Sequence, residues 1–198
     1  YGIDGMRALD ATVDYIRTNY PEIFLIADAK RGDIGNTAKM YAKAFFEEMD
    51  FDAVTIAPYM GADSVTPFLE YKDKWAIVLA LTSNASAYQF QTAEKNGKPL
   101  YQAVMEEMME ISTPDNMMFV VGATKADKLE ELRSFCPDNF FLVPGVGAQG
   151  GSAEEVIAHG ANDHGGLLIN SSRGILFADS TEDYAKAAGE VAAKTACI

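Results

Sequence analysis

Short apolar runs alternate with amphipathic stretches along almost the whole chain. An opening helix is predicted over roughly Gly5 to Thr18, with apolar positions at Met6, Leu9, Val13 and Ile16. The runs that read as strands are Phe24–Ala27, Ala53–Ala57, Trp75–Leu81, Met118–Gly122, Phe140–Val143 and Gly166–Asn170. They are continuous and rich in β-branched residues, the pattern of parallel strands covered on both faces. Between them, Ala38, Tyr41, Ala42, Phe45 and Met49 form one helical stripe and Leu100, Val104, Met108 and Ile111 another. Asp127 to Phe135 supplies a third helix. Ser152-Ala-Glu-Glu155 reads as a capping box opening a fourth before His159-Gly160. The nine methionines fall mostly on these helical faces and read as core filler.

Six βα units in strict alternation imply an α/β fold with a parallel sheet. No G-x-G-x-x-G follows the first strand and no P-loop signature occurs, which disfavours dinucleotide and P-loop folds. The economical account is a (β/α)8 TIM barrel, read as one partial domain over residues 1–198. Its first strand, first helix and second strand are then expected upstream of Tyr1, about 70 residues for a barrel of usual size. The stretch from Asn84 to Lys98 is polar and long, and breaks the rhythm. It reads either as a lid over a substrate or as a disordered insertion.

Chemistry collects where predicted strands end. Asp28-Ala-Lys30-Arg-Gly-Asp33 follows the first apolar run, at the strand end that faces the active site in parallel α/β proteins. Residues two apart on a strand share a face, so Asp28 and Lys30 point the same way and Asp33 follows one turn later. Burying such a cluster is costly unless its charges pair, which favours a chemical role over a plain strand-end ion pair, the other reading of this spacing. Further on, Val143-Pro144-Gly145-Val146-Gly147-Ala148-Gln149-Gly150-Gly151 combines backbone N–H groups able to approach an anion with the neutral donor Gln149. Asn170-Ser171-Ser172-Arg173-Gly174 adds a guanidinium that can fork onto phosphate oxygens. In barrels a phosphate site is often built from the last two strand-end loops, the place these segments occupy, although a Gly-rich turn alone is equally a structural feature. Thr82-Ser83-Asn84 offers hydroxyl and amide groups suited to the edge of a heterocycle.

Composition narrows the partners. A chain of 198 residues, 48% hydrophobic and 23% charged, is long enough for a sizeable core. No apolar run approaches the ~20 residues of a membrane helix, so no membrane partner is expected. A formal charge of −13 argues against a nucleic-acid partner but leaves room for a small anionic substrate in a locally basic site. Cys136 and Cys197 lack zinc or disulfide spacing, which suits a reducing cytoplasm. His159 and His164 show no paired-ligand spacing and read as structural; no metal site is expected.

Three motifs taken together resemble orotidine 5′-phosphate decarboxylase, most closely its longer bacterial subfamily. They are Ala27-Asp28-Ala29-Lys30-Arg31-Gly32-Asp33-Ile34-Gly35-Asn36-Thr37, Pro144-Gly-Val-Gly-Ala-Gln149-Gly-Gly and Ser171-Ser-Arg173-Gly, in family order and spacing. The resemblance implies decarboxylation of orotidylate to UMP in pyrimidine synthesis, without a cofactor. Lys30 is then the proton donor, with Asp28 beside the departing carboxylate. Asp33 reaches into the neighbouring subunit's site, Ile34 and Thr37 touch the ribose end, and the active unit is a homodimer. Ser83 meets the pyrimidine edge, Gln149 and Arg173 grip the phosphate, and Pro144 is a further substrate-binding position. Family members also carry a ribose-binding Asp on the first strand and a further catalytic Lys on the second, which the resemblance places upstream of Tyr1. Two rivals stand beside this reading: a metal-dependent sugar-phosphate decarboxylase or synthase sharing D-x-K-x-x-D, and a catalytically inactive nucleotide-binding module.

Overall fold

The computed structural model describes residues 2–123, 126–146 and 151–196. The opening stripe forms α1 (Gly2–Asn19), of which Val13 is buried while Met6 and Leu9 remain exposed. Its last turn is tied down by Arg17, whose guanidinium donates to the Asp50 carbonyl and, at 2.8 Å, to the Asp52 carboxylate. Next come β1 (Ile26–Arg31), α2 (Gly35–Lys43), β2 (Ala53–Ile56), α3 (Thr66–Leu69) and β3 (Trp75–Leu81). The chain packs as two units: Tyr1–Leu79 with Glu107–Met117, and Ala80–Glu106 with Met118–Ile198.

In the first unit β1, β2 and β3 run parallel, side by side in chain order. Every residue of β2 is buried, as its continuous apolar run predicts. The predicted stripe after β1 is helical from Ala38 through Phe45, with α2 continuing into a π-turn over Ala44–Glu48, and its last member, Met49, lies just past the helical end. That wider turn buries the consecutive residues Phe45 and Phe46, which a regular helix would point about 100° apart. Phe46 packs edge-on against Phe68 of α3, and Phe45 against Phe51.

The first strand differs from expectation. The run Phe24–Ala27 predicts a strand ending before the charged cluster, yet Phe24 and Leu25 precede the strand and β1 continues through Asp28, Ala29, Lys30 and Arg31. Hydrogen bonding to β2, rather than hydrophobicity, sets its extent. Register with β2 runs Ile26↔Ala53 and Ala27↔Val54, then jumps to Arg31↔Ile56, so β1 spends four steps where β2 spends two.

The second unit contains residues 80 and 81 of β3, the hairpin of β4 (Glu94–Lys95) and β5 (Lys98–Pro99), and most of α4 (Leu100–Glu110). Then follow β6 (Met117–Val121), α5 (Ala126–Phe135), β7 (Phe141–Pro144), α6 (Ala153–Gly160), β8 (Leu167–Asn170), α7 (Arg173–Leu176) and α8 (Tyr184–Ala196). Here β6, β7 and β8 are parallel neighbours in chain order. Phe119, Phe141, Leu129, Leu132 and Val156 fill the space between strands and helices. Arg133 of α5 donates to the carbonyls of Cys136, Asn139, Gly160 and Gly166, stitching the ends of α5 and α6 to the start of β8. Ser152 caps α6 by accepting the Glu155 N–H, as the capping box predicts.

The polar stretch from Asn84 to Lys98 is ordered, which sets aside its reading as a disordered insertion. It holds a 3-10 turn at Ala85–Gln89 and the β4–β5 hairpin. Gln91 clips it to the end of β3: its side chain accepts the Thr82 N–H and donates to the Thr82 hydroxyl, both at 2.8 Å.

Candidate active site

The first unit supplies the charged cluster. Asp28 and Lys30 share a face of β1 and form an ion pair between Nζ and Oδ1. The pair is open: the side chains are 64% and 51% exposed, so the burial expected from the sequence is absent. An exposed pair of this kind is worth about 0–1 kcal/mol, so its consequence is orientation of the ammonium rather than stability. Thr55, wholly buried on β2, donates from its hydroxyl to Asp28 Oδ1 at 3.0 Å and accepts the Lys30 N–H at 2.9 Å. Lys30 has φ +47°, an unfavourable conformation for a side chain with a Cβ. The next residue, Arg31, lays its guanidinium over the rings of Tyr41 and Phe45.

Asp33 is not part of the Asp28–Lys30 pair. Its carboxylate accepts the N–H of Ile34 at 2.8 Å, at the entrance to α2. Ile34 and Thr37 are exposed at the start of that helix. Parallel pairing puts the segments after β1 and β2 at the same, C-terminal end of the first unit's sheet. Both present exposed apolar side chains: Ile34 and, within α2, Met40 after β1, and Tyr59 and Met60 after β2, with Tyr59 90% exposed.

The second unit supplies neutral donors and a cation at its own strand ends. Pro144 closes β7 opposite Asn170 of β8, so the glycine-rich segment and Ser171-Ser172-Arg173 leave adjacent strands at the same end. Arg173 opens α7, is exposed, and has no ion-pair partner among the described residues. Gln149 lies outside the described residues. Ser83 follows β3 and packs tightly on Gly122 at the end of β6, where an added Cβ would come within 2.9 Å of the Ser83 N, Cβ and Cα. The hydroxyl of Thr82 and the amide of Asn84 are occupied with Gln91, Ser86 and each other.

His159 meets Glu130 at 3.3 Å. Among the described residues no group of three or more His, Cys, Asp or Glu side chains is gathered as a metal site, and no helix is long and apolar enough to cross a membrane. The Cys136 thiol is buried, which pushes its pKa up to about 12 and leaves it unreactive. Two contributors are absent from the motifs: Thr55, whose signal is a lone hydroxyl in the apolar run Ala53–Ile56, and Gln91, whose bonds depend on a fold-back no local pattern encodes.

A profile of the Orotidine 5′-phosphate decarboxylase / HUMPS family matches residues 4–188. The chain is 55% identical to the orotidine 5′-phosphate decarboxylase of Phocaeicola vulgatus over 98% of its own length and 71% of that protein. It is 56% identical to the Flavobacterium johnsoniae protein of the same name, with the same coverage. Among solved structures, the OMP decarboxylase of Leishmania donovani superimposes with a TM-score of 0.85 at 36% identity, covering 99% of this chain and 75% of that one.

Proposed function

Because this chain belongs to the orotidine 5′-phosphate decarboxylase / HUMPS family, we propose that it decarboxylates orotidine 5′-monophosphate to UMP by a cofactor-independent route with Lys30 as proton donor. The observation that carries the reading is the Lys30 ammonium held on Asp28 at the end of β1, with Thr55 beneath both. Decarboxylation breaks the bond from C6 of the pyrimidine to the carboxyl carbon, leaves the electron pair on C6 and releases carbon dioxide. An ammonium positioned there stabilises the developing negative charge and then gives its proton to C6. Asp28 sits beside the departing carboxylate and keeps the Lys30 side chain aimed. Ser83 contacts the pyrimidine edge and Pro144 also lines the substrate; Gln149 and Arg173 take the phosphate end, whose binding energy supports the reacting end from a distance.

In the same reading the chain is part of one TIM-barrel domain, with its first two strands and first helix upstream, and works in the cytoplasm as a homodimer. The exposed apolar positions of α1 support further packing on that side. Exposed Ile34, Met40, Tyr59 and Met60, in the segments that follow β1 and β2, support a two-fold contact. That contact would carry Asp33, Ile34 and Thr37 into the neighbouring site.

Loss of orotidylate absorbance on mixing with the purified protein tests the activity. Turnover is expected to survive exhaustive EDTA; a Mg²⁺ requirement restored by titration would move the protein to the sugar-phosphate branch. Lys30→Ala should lower kcat by several powers of ten while nucleotide still binds. Retention of more than about a tenth of kcat, ~1.4 kcal/mol of barrier, rules out the donor role.

A further inference from the structure

Thr55 is a hydroxyl placed where the strand pattern calls for an aliphatic side chain. It is 0% exposed, in a strand that is otherwise Ala, Val and Ile. A buried hydroxyl left without partners is costly, so its bonds matter to the fold around it. Both lead to the charged cluster. As acceptor it takes the N–H of Lys30; as donor its one hydrogen has Asp28 Oδ1 at 3.0 Å and the Ala27 carbonyl at 3.4 Å within reach, and the closer, charged oxygen is the better acceptor.

The register explains why a side chain is needed. Between Ala27↔Val54 and Arg31↔Ile56 the residues of β1 outnumber those of β2, and Thr55 is the one residue opposite the excess. A regular ladder cannot serve that bulge, and the Thr55 hydroxyl substitutes for it. The residue it anchors is in the left-handed conformation that a lysine adopts only when its surroundings enforce it. The carboxylate oxygen that receives the Thr55 hydrogen is also the one that holds the Lys30 ammonium. One buried hydroxyl therefore grips both the backbone from which Lys30 projects and the anchor on which its side chain rests.

We propose that Thr55 is a positioning residue of the decarboxylation: it locks the β1 bulge and thereby sets where the Lys30 ammonium stands relative to the reacting carbon. The proposal rests on Lys30 acting as the proton donor. Thr55→Val keeps the branched shape and removes both hydrogen bonds, whereas Thr55→Ser keeps the hydroxyl. With orotidylate as substrate, Thr55→Val should lose about ten- to a hundredfold in kcat, the effect of a slightly misplaced group. Its KM should stay within about threefold, because the groups that bind the nucleotide remote from the reaction are untouched. Thr55→Ser should retain kcat within about threefold of wild type. Independently of turnover, the Lys30 amide should exchange with deuterium faster in Thr55→Val than in wild type or Thr55→Ser, while amides of the β2–β3 ladder stay protected.

Three results would overturn the proposal: kcat of Thr55→Val within about twofold of wild type, Thr55→Ser as impaired as Thr55→Val, or unchanged Lys30 amide exchange. If the valine variant does not fold, Thr55→Cys, with the size of serine and a weak hydrogen-bonding group, is judged by the same criteria. Wild-type protein inert towards orotidylate would count against the decarboxylase reading itself. The exchange of the Lys30 amide would then decide whether Thr55 holds the bulge.

Discussion

At the scale of single residues, charge placement matters more than charge strength. Asp28 and Lys30 are half exposed and stabilise the fold little, so their pairing is a matter of aim. Arg173 presents the complementary case: an exposed guanidinium at the end of β8 with no acidic neighbour among the described residues, available to an incoming anion. Charge-assisted hydrogen bonds to a phosphate are worth about 1.5–3 kcal/mol each. Arg173→Ala should therefore cut kcat/KM for orotidylate roughly ten- to a hundredfold. Turnover of the nucleoside orotidine, which has no phosphate, should change little. Steady-state kinetics on both substrates check this; equal losses would mean that Arg173 shapes the loop instead of binding phosphate.

At the scale of elements, the strand ends are held by close approach. In the second unit the end of β6 meets the end of β3 through the N–H of Gly122, which donates to the Leu81 carbonyl at 2.8 Å. A methyl group at Gly122 would lie 2.7 Å from the Ser83 nitrogen and 2.9 Å from its Cα, so backbone would have to move. Gly122→Ala should cost about 1–3 kcal/mol in urea denaturation, the usual range for overpacking. It should also raise KM for orotidylate, because the displaced residue is the one assigned to the pyrimidine edge. Unchanged stability together with unchanged KM would show that the loop yields freely and that Ser83 has no such task. The Gln91 clip argues for a braced strand end, since Thr82 is bonded to Gln91 through both backbone and side chain.

At the scale of the whole molecule, the separation of Asp33 from Lys30 is the informative feature. Asp33 precedes α2 and is bonded to the Ile34 amide, next to the exposed Ile34 side chain, instead of closing over the Lys30 it follows in sequence. If Asp33 serves the neighbouring subunit, inactive Lys30→Ala and Asp33→Ala protomers should regain activity when their subunits exchange. Random exchange makes about half the dimers mixed, each with one intact site of two, so recovery should approach about a quarter of wild type. Native mass spectrometry verifies the exchange. No recovery from a verified mixture would assign Asp33 to its own subunit's pocket.

Much of this molecule is legible from its residues alone. Continuous β-branched runs and helical stripes predict the parallel βα order because periodicity is a local consequence of which faces are buried; β3 matches its predicted span of Trp75–Leu81. The three motifs identify the family and the candidate site because their residue types and spacing are themselves sequence. Tertiary structure decided what depends on a neighbour. It extended β1 through Lys30, since β2 supplies the hydrogen bonds that hydrophobicity does not forecast. It ordered the stretch after Asn84 through Gln91 and exposed an ion pair that its sequence setting suggested was buried. It also brought in Thr55, 25 residues from Lys30 in the chain, because the backbone bond that fixes the lysine exists only once two strands pair out of step.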